Sequence, residues 1–168
     1  MTPDDIQHVT RSFARAFAAK RDIAQRFYDS LFARAPHLRA IFPEEMGLQQ
    51  EKLNGTLATL VREMHRAPIL GETLDALARR HVYYEALPEH LPLIGDALVD
   101  ALVAETPGGL SRAEEAAWRA AFAWISGIMA PAMADEFERR EAARSAGVAP
   151  TLPPGAIVRD RQRAARGS

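Results

Sequence analysis

Apolar residues recur along almost the whole chain with the period of an α-helix, and nowhere with the sustained alternation of a strand. Leu53, Leu57, Leu60, Val61 and Met64 fall at i, i+4, i+7, i+8 and i+11. Leu70, Leu74, Leu77, Ala78 and His81 repeat the same spacing. Val and Ile, the residues that favour strands, are thin. A chain patterned in this way can bury its stripes only against other helices. It is therefore expected to be all-α, packed by ridges into grooves, with helices too uneven in length for a symmetric bundle.

Punctuation divides the pattern. Thr2 reads as an N-cap with Pro3 in the first turn, opening a helix whose stripe is Ile6, Val9, Phe13 and Phe17. A second helix over about residues 21–35 presents Ile23, Phe27 and Leu31, widened by Ala24 and Tyr28, and Pro36 ends it. A short turn over 37–42 precedes a long helix over about 48–66. Pro68 and Gly71 are expected to interrupt the chain before a shorter helix reaches His81. Pro88 and Pro92 bracket a loop into a helix bearing Ile94, Ala97, Leu98, Ala101 and Leu102. Pro107-Gly108-Gly109 is a stop, and Ser111 with Glu114 forms a capping box for the last helix. That helix packs through Trp118, Ala121, Phe122, Ile125 and Met129, and Pro131 is expected to kink or break it. Residues 1–141 read as one domain, and 142–168, with their prolines and arginines, as a disordered tail.

Bulk properties narrow the partners. With 168 residues the chain can bury a sizeable core, and a net charge of −1 argues against nucleic acid or an anionic membrane as the main partner. It has no cysteine, which removes disulfides, thiolate metal sites and cysteine nucleophiles together. The acidic start lacks the order of a secretory signal, and no apolar run approaches the ~20 residues of a membrane helix. A cytoplasmic location is the expectation.

Three polar residues interrupt the apolar stripes: Tyr28, Gln49 and His81, each on a different helix. Alone, each has a bland explanation. A histidine on an apolar face is more often a hydrogen-bonded core residue than a ligand, a tyrosine often turns its hydroxyl outward, and Gln49 lies near a helix start. Together they leave two donors that cost a few kcal/mol if buried unpaired. His81 can bind a metal through a neutral ring nitrogen, and Tyr28 and Gln49 can donate to a ligand on the metal's other side. His37, His65 and His90 are scattered, so a tetrahedral zinc site is disfavoured. One histidine suffices when a porphyrin supplies the other four nitrogens. Phe42, Trp118, Phe122 and Trp124 read first as packing.

These residues resemble a family. Phe27-Tyr28-Asp29-Ser30-Leu31-Phe32, then Ala35-Pro36 and Ile41-Phe42, are similar to the second helix and corner of bacterial haemoglobins, above all the flavohaemoglobin group and its single-domain relatives. Gln49-Gln50-Glu51-Lys52-Leu53 resembles the distal helix of that group, and Leu77-Ala78-Arg79-Arg80-His81 the proximal helix. Leu93-Ile94-Gly95 and Ala117-Trp118 continue the likeness, which covers about residues 3–138. It implies a globin fold of six to eight helices around a haem pocket, with haem b (iron protoporphyrin IX) as cofactor. It implies His81 as the proximal iron ligand and Tyr28 with Gln49 as the distal hydrogen-bonding pair. Phe42 would wedge against the porphyrin, Leu53 would limit room above the iron, and Leu57, Leu77, Ile94 and Phe122 would line the pocket. Arg80 would pair with a haem propionate or remain a solvated surface charge.

The same resemblance implies reversible binding of dioxygen, nitric oxide and carbon monoxide, in a monomer or homodimer. Two departures bear on chemistry. The family usually places a tyrosine where this chain has Leu91 and a glutamate where it has Met133; there they buttress the proximal histidine and make it more electron-donating. Glu85 could replace them only if its helix ran that far. A more neutral His81 and weaker activation of dioxygen are expected. The chain ends without the flavin and nicotinamide domains of two-domain members, so turnover is expected to need an external reductase. Rival expectations are a nitric oxide dioxygenase, a gas sensor or haem-handling protein whose tail meets a partner, and a haem-free helical interaction domain.

Overall fold

Six α-helices carry the stripes: α1 Pro3–Ala18, α2 Ile23–Arg34, α3 Gly47–Glu63, α4 Ala67–Tyr83, α5 Leu91–Glu105 and α6 Arg112–Ser145. They belong to a computed structural model that describes residues 1–19 and 22–148. Short 3-10 helices, Pro36–Ile41 and Pro88–His90, turn the corners before α3 and α5. No strand occurs among the described residues.

Local chemistry sets the starts. Thr2 Oγ1 accepts from the Asp5 N–H at 3.1 Å while Asp5 Oδ2 accepts from the Thr2 N–H at 2.7 Å, closing the capping box of α1. Ser111 and Glu114 do the same for α6. Asp22 caps α2 by accepting from the Gln25 N–H.

α6 is the spine. α1, α4 and α5 pack along it, and α2 lies across α5. The buried stripes of these helices form one core, with Val9, Ile23, Leu31, Leu70, Leu74, Leu102 and Met133 fully enclosed. Polar pairs fix the register between elements. Trp118 Nε1 donates to Ser12 Oγ at 2.9 Å in the buried α1–α6 seam. Arg15 on α1 donates to both carboxylate oxygens of Glu114 and to the Gly109 carbonyl. That guanidinium, with the Ser111 bonds, holds the Glu114 carboxyl down at about 2.

A depressed carboxyl pKa stabilises the fold above the unfolded-state value and loses that contribution as pH falls through the folded one. The window runs from the usual 4.5 down to about 2. Glu114→Gln is expected to cost on the order of 1 kcal/mol at neutral pH, because the Arg15 side of the pair faces solvent, with the deficit shrinking as pH falls through that window. Urea melts of both proteins at several pH values measure it. A deficit that does not shrink on acidification contradicts the ion pair as its source.

Three expectations change. Pro68 lies in the first turn of α4, where no donor is needed, and Gly71 sits inside the helix, so neither interrupts it. Pro131 neither breaks nor ends α6, which runs 34 residues through it. Pro131 is on an exposed face, while Met129 and Met133 on the opposite side are buried; their packing offsets the roughly 3 kcal/mol that an interior proline costs. α6 also continues past residue 141 to Ser145, and the expected tail from 149 onward lies outside the described residues.

Candidate functional site

His81 sits in the last turn of α4, on the stripe that begins at Leu70. Its Nδ1 is 2.8 Å from the Leu77 carbonyl oxygen. A carbonyl only accepts, so Nδ1 carries the proton and Nε2 presents a lone pair. Burial lowers the imidazole pKa from its ordinary value; the Leu77 carbonyl opposes that shift and the Arg80 charge adds to it. The ring is therefore neutral at physiological pH. It is closely surrounded by protein yet keeps partial solvent access, as a group lining a crevice does.

Tyr28 lies on the buried face of α2, 4% exposed. Its ring makes contacts at right angles with Phe27 and Phe42, at 4.9 and 5.4 Å between centroids, and stacks on Phe32 at 5.8 Å. These rings fix the direction of the hydroxyl. Burial pushes the phenol up to about 12, with Gln49 pulling it slightly back. Gln49, half-buried in the first turn of α3, donates to the Tyr28 hydroxyl oxygen, the sense of bond that lowers a phenol's pKa. The Tyr28 O–H and the second N–H of Gln49 remain to donate elsewhere.

The expected apolar wall divides in two. Leu57 is buried in the core. Phe42, Leu53, Leu77, Ile94 and Phe122 are only partly buried and pack against that core from five different segments. The Phe122 ring lies against α5 so closely that a Cβ on Gly95 would meet its Cδ1 at 2.5 Å. Only glycine allows that approach. One turn beyond Phe122, Ser126 Oγ is buried without a partner among the described residues, and a buried hydroxyl of this kind needs water or a further group to satisfy it.

At the two positions where the resemblance puts a tyrosine and a glutamate, Leu91 is 4% exposed and Met133 fully buried. Glu136, one turn after Met133, is committed to Arg79 at 3.1 Å and Arg139 at 3.0 Å. Glu85 lies beyond the end of α4 with a φ of 68°, so the helix does not carry it over His81. Arg80 makes no ion pair among the described residues.

Among the described residues no three His, Asp or Glu side chains converge to hold a metal. A metal at His81 must bring most of its ligands with it, as the iron of a porphyrin does. The neutral Nε2, the Tyr28 O–H and second Gln49 N–H, and the partly buried apolar walls fit such a group. Gly95 entered only as part of the Leu93-Ile94-Gly95 likeness, with no role, and sequence reasoning did not single out Ser126 or the Leu77 carbonyl. The last was readable in principle, since residue i−4 lies directly beneath a helical side chain.

A family model described as Globin matches residues 25–129. Similar proteins include the flavohemoprotein of Deinococcus radiodurans, 29% identical over 133 residues, which cover 77% of this chain and 33% of that protein. The flavohemoprotein of Vibrio cholerae is 23% identical over 131 residues, covering 76% and 33%. The chain thus spans about a third of the length of these curated relatives. Among solved structures, a bacterial globin from Campylobacter jejuni superposes with a TM-score of 0.70 at 20% identity, covering 82% of this chain and 99% of its own. An engineered carbene transferase from Rhodothermus marinus gives 0.72 at 20% identity, covering 84% and 99%. No helix among the described residues is long and apolar enough to cross a membrane.

Proposed function

The chain belongs to the globin family, and we propose that within this haem-binding family it holds haem b on His81 and binds dioxygen reversibly. The observation that carries this reading is the His81 tautomer: Nδ1 is occupied by Leu77, leaving a neutral Nε2 lone pair for iron. Haem supplies the iron at which a diatomic gas is held. The chain's residues do the rest.

Tyr28, kept neutral by its raised pKa, donates a hydrogen bond to dioxygen in the distal pocket. Gln49 donates a second or orients the phenol. Donors fixed in advance in a dry pocket are worth most, and the aromatic ring cluster fixes Tyr28. Phe42 would pack against the porphyrin, Leu53 would limit room at the iron, and Leu57, Leu77, Ile94 and Phe122 would exclude water. Arg80, without an ion pair of its own among the described residues, would meet a propionate.

Nitric oxide dioxygenation is the second reading. It is favoured by the flavohemoprotein relatives and by the Rhodothermus marinus neighbour, which is provisionally described as such an enzyme. Against it stands the partner of His81: its N–H meets a neutral carbonyl, and the positions where the resemblance puts a buttressing tyrosine and glutamate are Leu91 and Met133. A carbonyl acceptor makes the imidazole a weaker donor than a carboxylate would.

Nitrate yield per haem, measured with a supplied reductase and nitric oxide, separates the two. A carrier is expected to give about one nitrate per haem before turnover stalls. Sustained conversion of many equivalents contradicts the carrier reading and supports the enzyme.

A further inference from the structure

The first half of α3, which carries Gln49 and Leu53, is fastened only by partial apolar burial, that of Leu53 and of Met46 just before the helix. The buried residues of α3 are Leu57, Leu60 and Val61, all in its second half. Met46, its N-cap residue, supplies no side-chain bond, and Leu48 is 72% exposed. The side-chain link to α2 is polar. Gln50 Nε2 donates to Gln25 Oε1 at 2.6 Å, and Gln25 Nε2 donates to Asp29 Oδ1 at 2.8 Å.

These bonds have a built-in direction. A carboxylate only accepts, so Asp29 requires the NH₂ end of Gln25. Gln25 then presents its oxygen to α3, and Gln50 must answer with an N–H. Gln25 and Asp29 flank Tyr28 on α2, one turn apart, and Gln50 adjoins Gln49. Upstream, Arg39 donates to the Pro43 and Glu44 carbonyls at 2.9 and 3.1 Å, with its guanidinium 5.5 Å from the centre of the Phe32 ring. The approach to α3 is thus pinned to the same rings that hold Tyr28.

We propose that Gln25 and Gln50 are positioning residues for the distal pair: the Asp29–Gln25–Gln50 chain holds the start of α3 on α2 so that Gln49 and Tyr28 address one ligand. This rests on the reading of Tyr28 and Gln49 as ligand donors. Because the tether is exposed and the segment it holds buries little, its loss frees the start of α3 without unfolding the core. Gln49 then spends part of its time away from the pocket.

The test uses haem-loaded protein and two readouts, the dioxygen dissociation rate and amide hydrogen exchange over residues 48–53. Gln50→Leu is expected to speed both about fivefold, the effect of losing one modest hydrogen bond. Gln50→Lys keeps a donor for Gln25 Oε1 and is expected to restore both to within about twofold. Tyr28→Phe is measured in parallel. If Tyr28→Phe speeds dissociation but Gln50→Leu changes neither readout, the tether is overturned and the distal pair stands. If Gln50→Leu speeds exchange but not dissociation, the chain is only structural and the proposal fails. If neither variant changes dissociation, the distal reading and the tether fall together.

Discussion

Tyr28→Phe is expected to raise the dioxygen dissociation rate ten- to a hundredfold, with haem loading and fold intact. A hydrogen bond to a partly charged acceptor is worth about 1.5–3 kcal/mol, and each 1.4 kcal/mol is a factor of about ten. The substitution keeps the ring and its contacts with Phe27, Phe32 and Phe42, so only the hydroxyl is lost. The phenol, pushed up to about 12, stays protonated far above neutrality. Dissociation from the wild-type protein should therefore show no Tyr28-linked change from about pH 6 to about pH 10. Stopped-flow displacement of dioxygen by carbon monoxide measures both. An unchanged rate in the variant removes Tyr28 from the site.

Met133→Glu should have the largest effect on stability. Met133 is fully enclosed on α6, one turn before the Glu136 that Arg79 of α4 binds. A carboxylate there has no charged partner in reach, because Arg79 is already shared by Asp75 and Glu136. Burying it unpaired is expected to cost roughly 3 kcal/mol or more at neutral pH. Burial raises such a carboxyl's pKa, so the deficit should shrink as pH falls through that raised value and the group protonates. Denaturant midpoints at several pH values report it. Unchanged stability at neutral pH would contradict an enclosed, unpaired setting at position 133.

The fold was legible wherever burial follows a helical period. Both capping boxes, the stripes of α3 and α4 and the all-α class follow from residue order alone, as does the α1 stripe except Phe17, which is exposed. Pro131 and Gly71 misled because a local preference is small beside the packing of a long helix, and Pro68 because its place in a first turn is visible only once the helix start is known. The pocket residues could be nominated because a polar group on an apolar stripe is costly without a purpose. Their supports could not. Arg15–Glu114, Arg79–Glu136 and Gln25–Gln50 join residues far apart in sequence, and their meeting depends on how helices cross. Gln50 is off the stripe on which Gln49 lies, so periodicity passes over it. Phe122 against Gly95 likewise needs the α5–α6 approach to be known.

Every proposed role depends on His81 Nε2 as the bond to haem iron. The direct measurement is the absorption spectrum of His81→Gly in its ferrous and carbonyl forms, with and without free imidazole. Without imidazole the variant is expected to lose haem or show an altered ferrous Soret band, and added imidazole should bring back the wild-type spectra. Wild-type spectra from His81→Gly with no imidazole present would contradict it.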